Sequence, residues 1–151
     1  MRVVFLIAVT FWCHTTPRVG GNDVTPLILK PPGHLMGRSV LLVEDEMMIA
    51  WDIEQTLTHA GMRVLGPAAS VTSALRLIGE ERPDAAILDL KLRGELVTPV
   101  ARRLRQMSVP FVLATAYNHL RSDETEFMGV ENLGKPVASA RCVEALGEML
   151  A

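Results

Sequence analysis

The sequence predicts an α/β fold in which a five-stranded parallel sheet is doubly wound by helices. Short apolar runs alternate with segments of helical periodicity throughout residues 37–151. Most of these runs are apolar at consecutive positions, which is typical of strands that helices cover on both faces. Right-handed crossover connections between such strands then produce a doubly wound layer.

Five strands are predicted, and turn-forming or polar residues bound each of them. The strands cover residues 39–43, 62–68, 85–88, 110–114 and 130–133. Gly66–Pro67 stops the second strand, and Pro83–Asp84 forms the turn before the third. The fifth is short, because Gly134 follows it at once.

Helices are predicted between the strands, where apolar residues recur at intervals of three and four. The apolar stripes cover residues 49–60, 71–78, 97–107 and 138–149. Gly61 closes the first helix as its C′ residue, Ser70 is a candidate N-cap of the second, and Pro99 fits the first turn of the third. The polar segment 118–128 has too weak a period for a helix to be assigned.

The first 36 residues differ from residues 37–151 and are predicted to be a leader or a disordered extension. Arg2 precedes an apolar run from Val3 to Cys13, and segments rich in proline and glycine follow it. A secretory signal would need a small-residue cleavage site, which this run lacks. A short membrane or partner anchor is the second interpretation. The favoured one is a disordered leader or an upstream start codon, with Met36 as the true start.

The overall composition excludes several classes of protein. The 151 residues provide one domain of ordinary size. The 15 basic and 17 acidic residues give a net charge of −2, which argues against a polybasic nucleic-acid binder. Cys13 and Cys142 are too few for a disulfide framework or a cysteine-rich zinc site. No apolar run reaches the roughly 18 residues that a membrane-spanning helix needs.

Polar side chains follow four of the predicted strands. In doubly wound sheets, ligands bind at the carboxyl ends of the strands. The residues at that edge are Glu44, Asp45, Asp89, Thr115 and Lys135. Three crowded carboxylates favour a hard divalent cation such as Mg²⁺, which prefers oxygen ligands. A lysine and a hydroxyl beside them suit phosphoryl transfer onto a carboxylate.

Four motifs at these strand ends resemble the receiver domain of bacterial two-component response regulators. They are LLVEDE at 41–46, AAILDL at 85–90, FVLATAY at 111–117 and GKP at 134–136. The resemblance covers nearly all of residues 37–151 and implies the flavodoxin-like receiver architecture. Asp89 then matches the phosphoacceptor, while Thr115 and Lys135 match the hydroxyl and the lysine that contact the phosphoryl group.

The resemblance also implies a metal site. Glu44 and Asp45 match the acidic pair that binds Mg²⁺ together with Asp89. The backbone carbonyl of Lys91 matches the remaining protein ligand. Glu46, in contrast, is interpreted as a helix-start charge that the macrodipole favours.

The sequence departs from the family pattern near Lys135. The aromatic residue that usually stands three positions before the lysine is replaced by Asn132. The usual coupling between Thr115 and a rotating aromatic ring is therefore not expected here, although Tyr117 offers a partial substitute. Met47 and Met48 open the first predicted helix and are interpreted either as core residues or as partner contacts.

The resemblance implies a cytoplasmic, single-domain response regulator that catalyses only its own phosphorylation and dephosphorylation. Asp89 is expected to accept a phosphoryl group from a sensor histidine kinase or a histidine phosphotransfer protein, with Mg²⁺ present. Because no output domain follows the last predicted helix, the change of conformation is expected to act on an unknown downstream protein. No nucleic-acid or membrane partner is expected, and a homodimer is left open.

Other classes of function remain as alternatives. The receiver fold also suits a binding module that works without phosphorylation, or a phosphate sink. A haloacid-dehalogenase-like phosphatase would need a second aspartate at position 91, where lysine stands. A dinucleotide-binding domain would need a G-x-G-x-x-G motif after the first strand, and none is present there.

Overall fold

The computed structural model describes residues 33–116 and 125–151. The apolar run from Val3 to Cys13, Tyr117 and most of the segment 118–128 lie outside the described residues. The predictions for these parts of the chain therefore stay predictions.

The described residues form a central parallel sheet, a small antiparallel ribbon and four α-helices. The strands are β1 Ser39–Val43, β2 Arg63–Ala68, β3 Ala85–Leu88, β4 Lys91–Leu92, β5 Glu95–Leu96 and β6 Phe111–Leu113. The helices are α1 Met47–His59, α2 Val71–Glu80, α3 Thr98–Gln106 and α4 Ser139–Met149. Two short 3-10 helices cover Gly33–Leu35 and Thr125–Phe127.

The sheet has the strand order β2-β1-β3-β6, and all its neighbouring strands are parallel. Every residue of the central strands β1 and β3 is buried, as their uninterrupted apolar runs predict. Helices α1 and α4 contribute to the core on one face of the sheet, and α2 and α3 contribute to the core on the other. The predicted doubly wound α/β class is therefore confirmed.

Local sequence accounts for where the helices begin and end. Ser70 caps α2, because its Oγ accepts a hydrogen bond from the Ser73 backbone N–H at 3.1 Å. Gly61, the second residue after the end of α1, has a φ of +79°, a conformation that glycine adopts without strain. Proline stands in the first turn of α3, where its missing N–H leaves no hydrogen bond unmade. These three predictions are confirmed.

The predicted fifth strand at 130–133 is reduced to a single bridge. Asn132 pairs with Leu113 of β6, and the ladder does not extend beyond that pair. The Leu113 N–H donates to the Glu131 carbonyl, and the Leu133 N–H donates to the Leu113 carbonyl, both at 2.8 Å. Asparagine has low strand propensity because its side chain competes for backbone hydrogen bonds. The sheet thus has four strands within the described residues.

The chain before β1 packs as part of the domain. Leu35 is completely buried in the core that also contains residues of α1 and α4. His34 Nε2 lies 3.2 Å from the Gly147 carbonyl oxygen near the end of α4. The predicted division at residue 36 therefore falls beside a segment that contributes to the core. Across the described ranges, no helix has the length and apolar character needed to cross a membrane.

Candidate functional site

The carboxyl ends of β1 and β3 bring Glu44 and Asp89 together around one lysine. The two strands are adjacent and in register, so the residues that follow them emerge side by side. Lys135 Nζ lies 2.7 Å from Asp89 Oδ2 and 2.8 Å from Glu44 Oε2. Two carboxylates that lie far apart in the sequence thus share one ammonium group.

Glu44 is a buried acid whose hydrogen bonding is incomplete. Its side chain is 1% exposed. Oε1 accepts a hydrogen bond from the Glu46 backbone N–H at 3.0 Å. Oε2 is buried and receives no well-aligned hydrogen bond from the described residues, although the Lys135 ammonium lies close to it. Burial raises the pKa of Glu44, and the contacts with Lys135 and the Glu46 N–H offset that increase only in part.

Lys135 supplies the positive charge of the site. Its side chain is only 11% exposed, and burial disfavours the charged ammonium. The hydrogen bond to Asp89 and the ion pair with Glu44 outweigh this effect and hold the pKa of Lys135 above its ordinary value. The ammonium also lies 3.3 Å from Glu46 Oε1. One cation thus faces three carboxylates, which leaves an excess of negative charge at this edge of the sheet when all three are ionised.

Glu46 joins the acidic group, which sequence reasoning did not anticipate. Carboxylate oxygens of Glu44, Glu46 and Asp89 lie within 4.8 Å of one another, in an arrangement that could hold a metal ion. Glu46 is the N-cap residue of α1 and has an extended backbone. Because side chains two apart in extended chain point to the same side, the spacing of Glu44 and Glu46 was the available sign.

Asp45 occupies a different position. Its Oδ2 accepts a hydrogen bond from the Arg93 backbone N–H at 2.9 Å, in the turn between β4 and β5. Arg93 has a φ of +51°, in the left-handed region. In this structure Asp45 therefore ties the loop after β3 to the start of α1. Its role as a metal ligand stays a prediction.

Lys91 and Thr115 lie at the same edge of the sheet. The Lys91 backbone N–H is 3.5 Å from Asp89 Oδ1, at the long limit of a hydrogen bond. Thr115 follows β6 and is buried. Its backbone N–H and carbonyl both contact the side-chain amide of Asn132 at 3.3 Å. The predicted roles of the Lys91 carbonyl and of the Thr115 hydroxyl stay predictions.

An exposed apolar surface adjoins the site. Met47, Met48 and Trp51, near the start of α1, are 83%, 75% and 57% exposed. The interpretation of both methionines as core residues is therefore wrong. Large apolar side chains grouped in solvent are typical of surfaces that bind other proteins.

The arrangement has the features of an electrostatic site for an incoming phosphoryl group. The Asp89 side chain is 10% exposed and that of Glu44 is 1% exposed, so Asp89 is the acid of this pair that keeps some contact with solvent. Lys135 can balance the charge on phosphoryl oxygens once an anion arrives. The surrounding carboxylates are oxygen ligands of the kind that a hard divalent cation prefers.

Comparisons with known proteins also indicate a response regulator receiver domain. A family profile described as "Response regulator receiver domain" matches residues 40–146. AfsQ1, a transcriptional regulatory protein of Streptomyces coelicolor, is 42% identical over 81 residues, which are 53% of this chain and 36% of AfsQ1. LytT, a sensory transduction protein of Bacillus subtilis, is 30% identical over 110 residues, which are 71% of this chain and 46% of LytT. The chain thus spans less than half the length of these two curated relatives.

One solved structure is similar to this chain over nearly all of its own length. SdrG from Sphingomonas melonis Fr1 is similar with a TM-score of 0.65 and 33% sequence identity. The similar region covers 78% of this chain and 98% of the SdrG chain.

Proposed function

The chain belongs to the response regulator receiver-domain family, and from this premise we propose that Asp89 accepts a phosphoryl group in a two-component system. The observation that carries the proposal is the Lys135 ammonium, which lies within 2.8 Å of oxygens of both Asp89 and Glu44. Receiver domains are phosphoacceptors rather than enzymes that act on other molecules. In this proposal the only reactions that the chain catalyses are its own phosphorylation and dephosphorylation.

The proposed reaction is an in-line transfer from a phosphohistidine. One oxygen of the Asp89 carboxylate attacks phosphorus, and the bond between phosphorus and the imidazole nitrogen of the donor breaks. The electron pair of that bond stays on the imidazole. Lys135 and the Thr115 hydroxyl hold the transferred phosphoryl oxygens, and water later hydrolyses the acyl phosphate.

The residues at the site fit Mg²⁺. The buried Glu44 Oε2 lacks a well-aligned donor among the described residues, and three carboxylates share one lysine. We propose that Glu44, Asp45, Asp89 and the backbone carbonyl of Lys91 hold the ion, and that Glu46 adds negative charge beside it. When bound, Mg²⁺ offsets negative charge on the phosphoryl oxygens.

Phosphorylation at Asp89 changes the balance of charge around Lys135. Side-chain phosphates add about −1.5 to −2 charges near neutral pH. Lys135, which pairs with Asp89 at rest, then pairs with the phosphoryl oxygens. An equilibrium between two conformations shifts in proportion to the difference in their affinity for this group.

Partners in this proposal are proteins. A sensor histidine kinase or a histidine phosphotransfer protein delivers the phosphoryl group, and Met47, Met48 and Trp51 offer it an exposed apolar surface beside the site. The phosphorylated form acts on a downstream protein or on a second copy of the chain. We propose that the domain acts in the cytoplasm and does so without nucleic acid or a membrane.

The proposal is tested by labelling the protein with acetyl phosphate and Mg²⁺. Wild type is expected to gain one phosphoryl group, and Asp89→Asn is expected to gain none. Asp84→Asn is the matched control, because Asp84 lies just before the opposite end of the same strand. Equal labelling of Asp89→Asn and wild type, or no labelling of wild type by this donor or by a cognate kinase, would contradict the proposal.

A complementation experiment distinguishes this proposal from the main alternative, a binding module that works without phosphorylation. If Asp89→Asn loses labelling but restores full function in cells that lack the native protein, the chain acts as a phosphorylation-independent binding module.

A further inference from the structure

The side chain of Asn132 contacts both backbone polar groups of Thr115. Its Oδ1 accepts a hydrogen bond from the Thr115 N–H, and its Nδ2 donates to the Thr115 carbonyl, each at 3.3 Å. A side-chain amide carries one acceptor and donors, so it can replace the pairing that a neighbouring strand provides. Asn132 therefore continues, through its side chain, the ladder that its backbone does not extend.

The position of Asn132 explains how a side chain can reach Thr115. The backbone of 131–133 is held to Leu113 by two hydrogen bonds of 2.8 Å. Thr115 lies two residues beyond Leu113, where β6 has ended and the chain no longer pairs as a strand with the segment 130–133. The Asn132 amide holds Thr115 at this point.

The same amide oxygen also holds the turn that carries Lys135. Asn132 Oδ1 accepts a second hydrogen bond, from the Gly134 N–H at 3.0 Å. An asparagine that bonds to a backbone N–H two residues on forms a local turn. Gly134 has a φ of +75°, and Lys135 follows it with its ammonium 2.7 Å from Asp89. Thr115 and Lys135 thus share one anchor.

We propose that Asn132 is a positioning residue, which holds the Thr115 backbone and the Gly134–Lys135 turn in one arrangement so that both act on the phosphoryl group together. The inference rests on the proposed function of Asp89 and deepens it. The family pattern has an aromatic ring at this position, and a ring offers no acceptor to these two N–H groups. In this chain the coupling runs through an amide that is bound to the backbone.

The first test substitutes Asn132 by a residue of similar size without polar atoms. Asn132 is exposed, so Asn132→Leu leaves the packed core unchanged. The initial rate of labelling by acetyl phosphate with Mg²⁺ is expected to fall by about five- to tenfold, which corresponds to about 1–1.4 kcal/mol of transition-state free energy. Glu131→Gln is the matched control and should label at the wild-type rate, because Glu131 contacts β6 through its backbone carbonyl and its side chain pairs with Arg141 of α4.

A double-mutant cycle separates positioning from simple destabilisation. Thr115→Ala removes the hydroxyl but keeps the backbone N–H and carbonyl that Asn132 contacts. If Asn132 acts partly through the Thr115 hydroxyl, the rate factors of the two substitutions do not multiply in the double variant. Rate factors that multiply, or an Asn132→Leu variant that labels at the wild-type rate, overturn the inference. Asn132→Ala is measured in the same way, so that a folding defect of the leucine variant does not decide the result.

Amide hydrogen exchange tests the inference without phosphorylation. In Asn132→Leu and Asn132→Ala, the Thr115 and Gly134 N–H groups are expected to lose protection together, whereas Glu131→Gln keeps it. Unchanged protection overturns the inference. If wild type is never labelled but both amides lose protection, the proposed function fails while the shared anchor of Thr115 and Lys135 stands.

Discussion

The two ends of the parallel sheet place acidic residues in opposite surroundings. At the amino end, the Asp84 carboxylate accepts hydrogen bonds from the Ser39 N–H at 2.8 Å, the Ser39 hydroxyl at 3.1 Å and Arg38 at 3.0 Å. The Ser39 N–H contributes most to holding the pKa of Asp84 below its ordinary value. At the carboxyl end, burial raises the pKa of Glu44.

The difference teaches which acid is structural and which belongs to a functional site. Asp84 is supplied with donors that stabilise its charged form, and it joins the start of β1 to the start of β3. Glu44 and Asp89 compete for one lysine, and Glu44 Oε2 lacks a well-aligned donor from the described part of the chain. Polar groups left incompletely paired are expected where a ligand completes the site.

The largest expected difference between the two ends is in stability. Asp84→Ala should lower the free energy of unfolding by about 2–3 kcal/mol, because it leaves the buried Ser39 N–H without its carboxylate partner. Asp89→Ala should change it by less than about 1 kcal/mol, because relief of repulsion between carboxylates offsets the lost ion pair. Urea unfolding measures both. A greater loss for Asp89→Ala would reverse the assignment of structural and functional acids.

Replacing Lys135 should show how strongly Glu44 and Asp89 depend on their shared cation. Lys135→Met is expected to destabilise the protein by about 1–2 kcal/mol, because Glu44 and Asp89 lose their shared cation. Adding Glu44→Gln should recover most of this loss, since it removes the buried charge. Urea unfolding of the single and double variants gives the coupling. A double variant whose change in stability equals the sum of the two single changes would show that the lysine does not balance Glu44.

Mg²⁺ should stabilise the protein only through the acidic residues at the carboxyl end of the sheet. At a concentration ten times the dissociation constant, Mg²⁺ should raise the free energy of unfolding by about 1.4 kcal/mol. Glu44→Gln should weaken this effect, and Asp84→Asn should retain it. Thermal unfolding of Asp45→Asn and Glu46→Gln with and without Mg²⁺ then shows which second acid contributes. An effect that survives loss of Glu44, Asp45 and Glu46 together would contradict the proposed site.

The smallest expected effect is a dependence of stability on pH with opposite signs at the two ends. Because the folded-state pKa of Glu44 is raised, its contribution is full below the ordinary value of 4.5 and declines as pH rises through the folded-state pKa. Glu44→Gln should therefore exceed wild type in stability near neutral pH, with a gap that closes on acidification. Asp84 has a lowered pKa, so its contribution persists until pH falls through that folded-state value.

Urea unfolding between pH 4 and 7 distinguishes the two signs. Asp84→Asn should remain less stable than wild type across this range, because Asp84 keeps its charge throughout it. A gap between Glu44→Gln and wild type that widens on acidification would contradict the direction of the Glu44 shift.

Local patterns in the sequence determined the order of the elements. Uninterrupted apolar runs at 39–43 and 85–88 predicted the two central strands, because a strand covered on both faces must be apolar on both. The carboxyl ends of adjacent parallel strands meet, so Glu44 and Asp89 could be placed together without coordinates. The same rule placed Lys135 at this edge, where it contacts both Glu44 and Asp89.

Tertiary structure decided what those patterns leave open. Neighbouring acids in one short run are chemically alike, and only the path of the chain into α1 turned Glu46 toward Asp89 and Asp45 toward Arg93. Val130 and Leu133 suggested a strand at 130–133, but the side-chain amide of Asn132 bonds to Thr115 and Gly134 instead of leaving the backbone to extend the ladder. Leu35 shows no periodicity with its neighbours, and its burial depends on contacts with distant helices. Such choices depend on contacts between residues far apart in the chain, which periodicity and propensity do not encode.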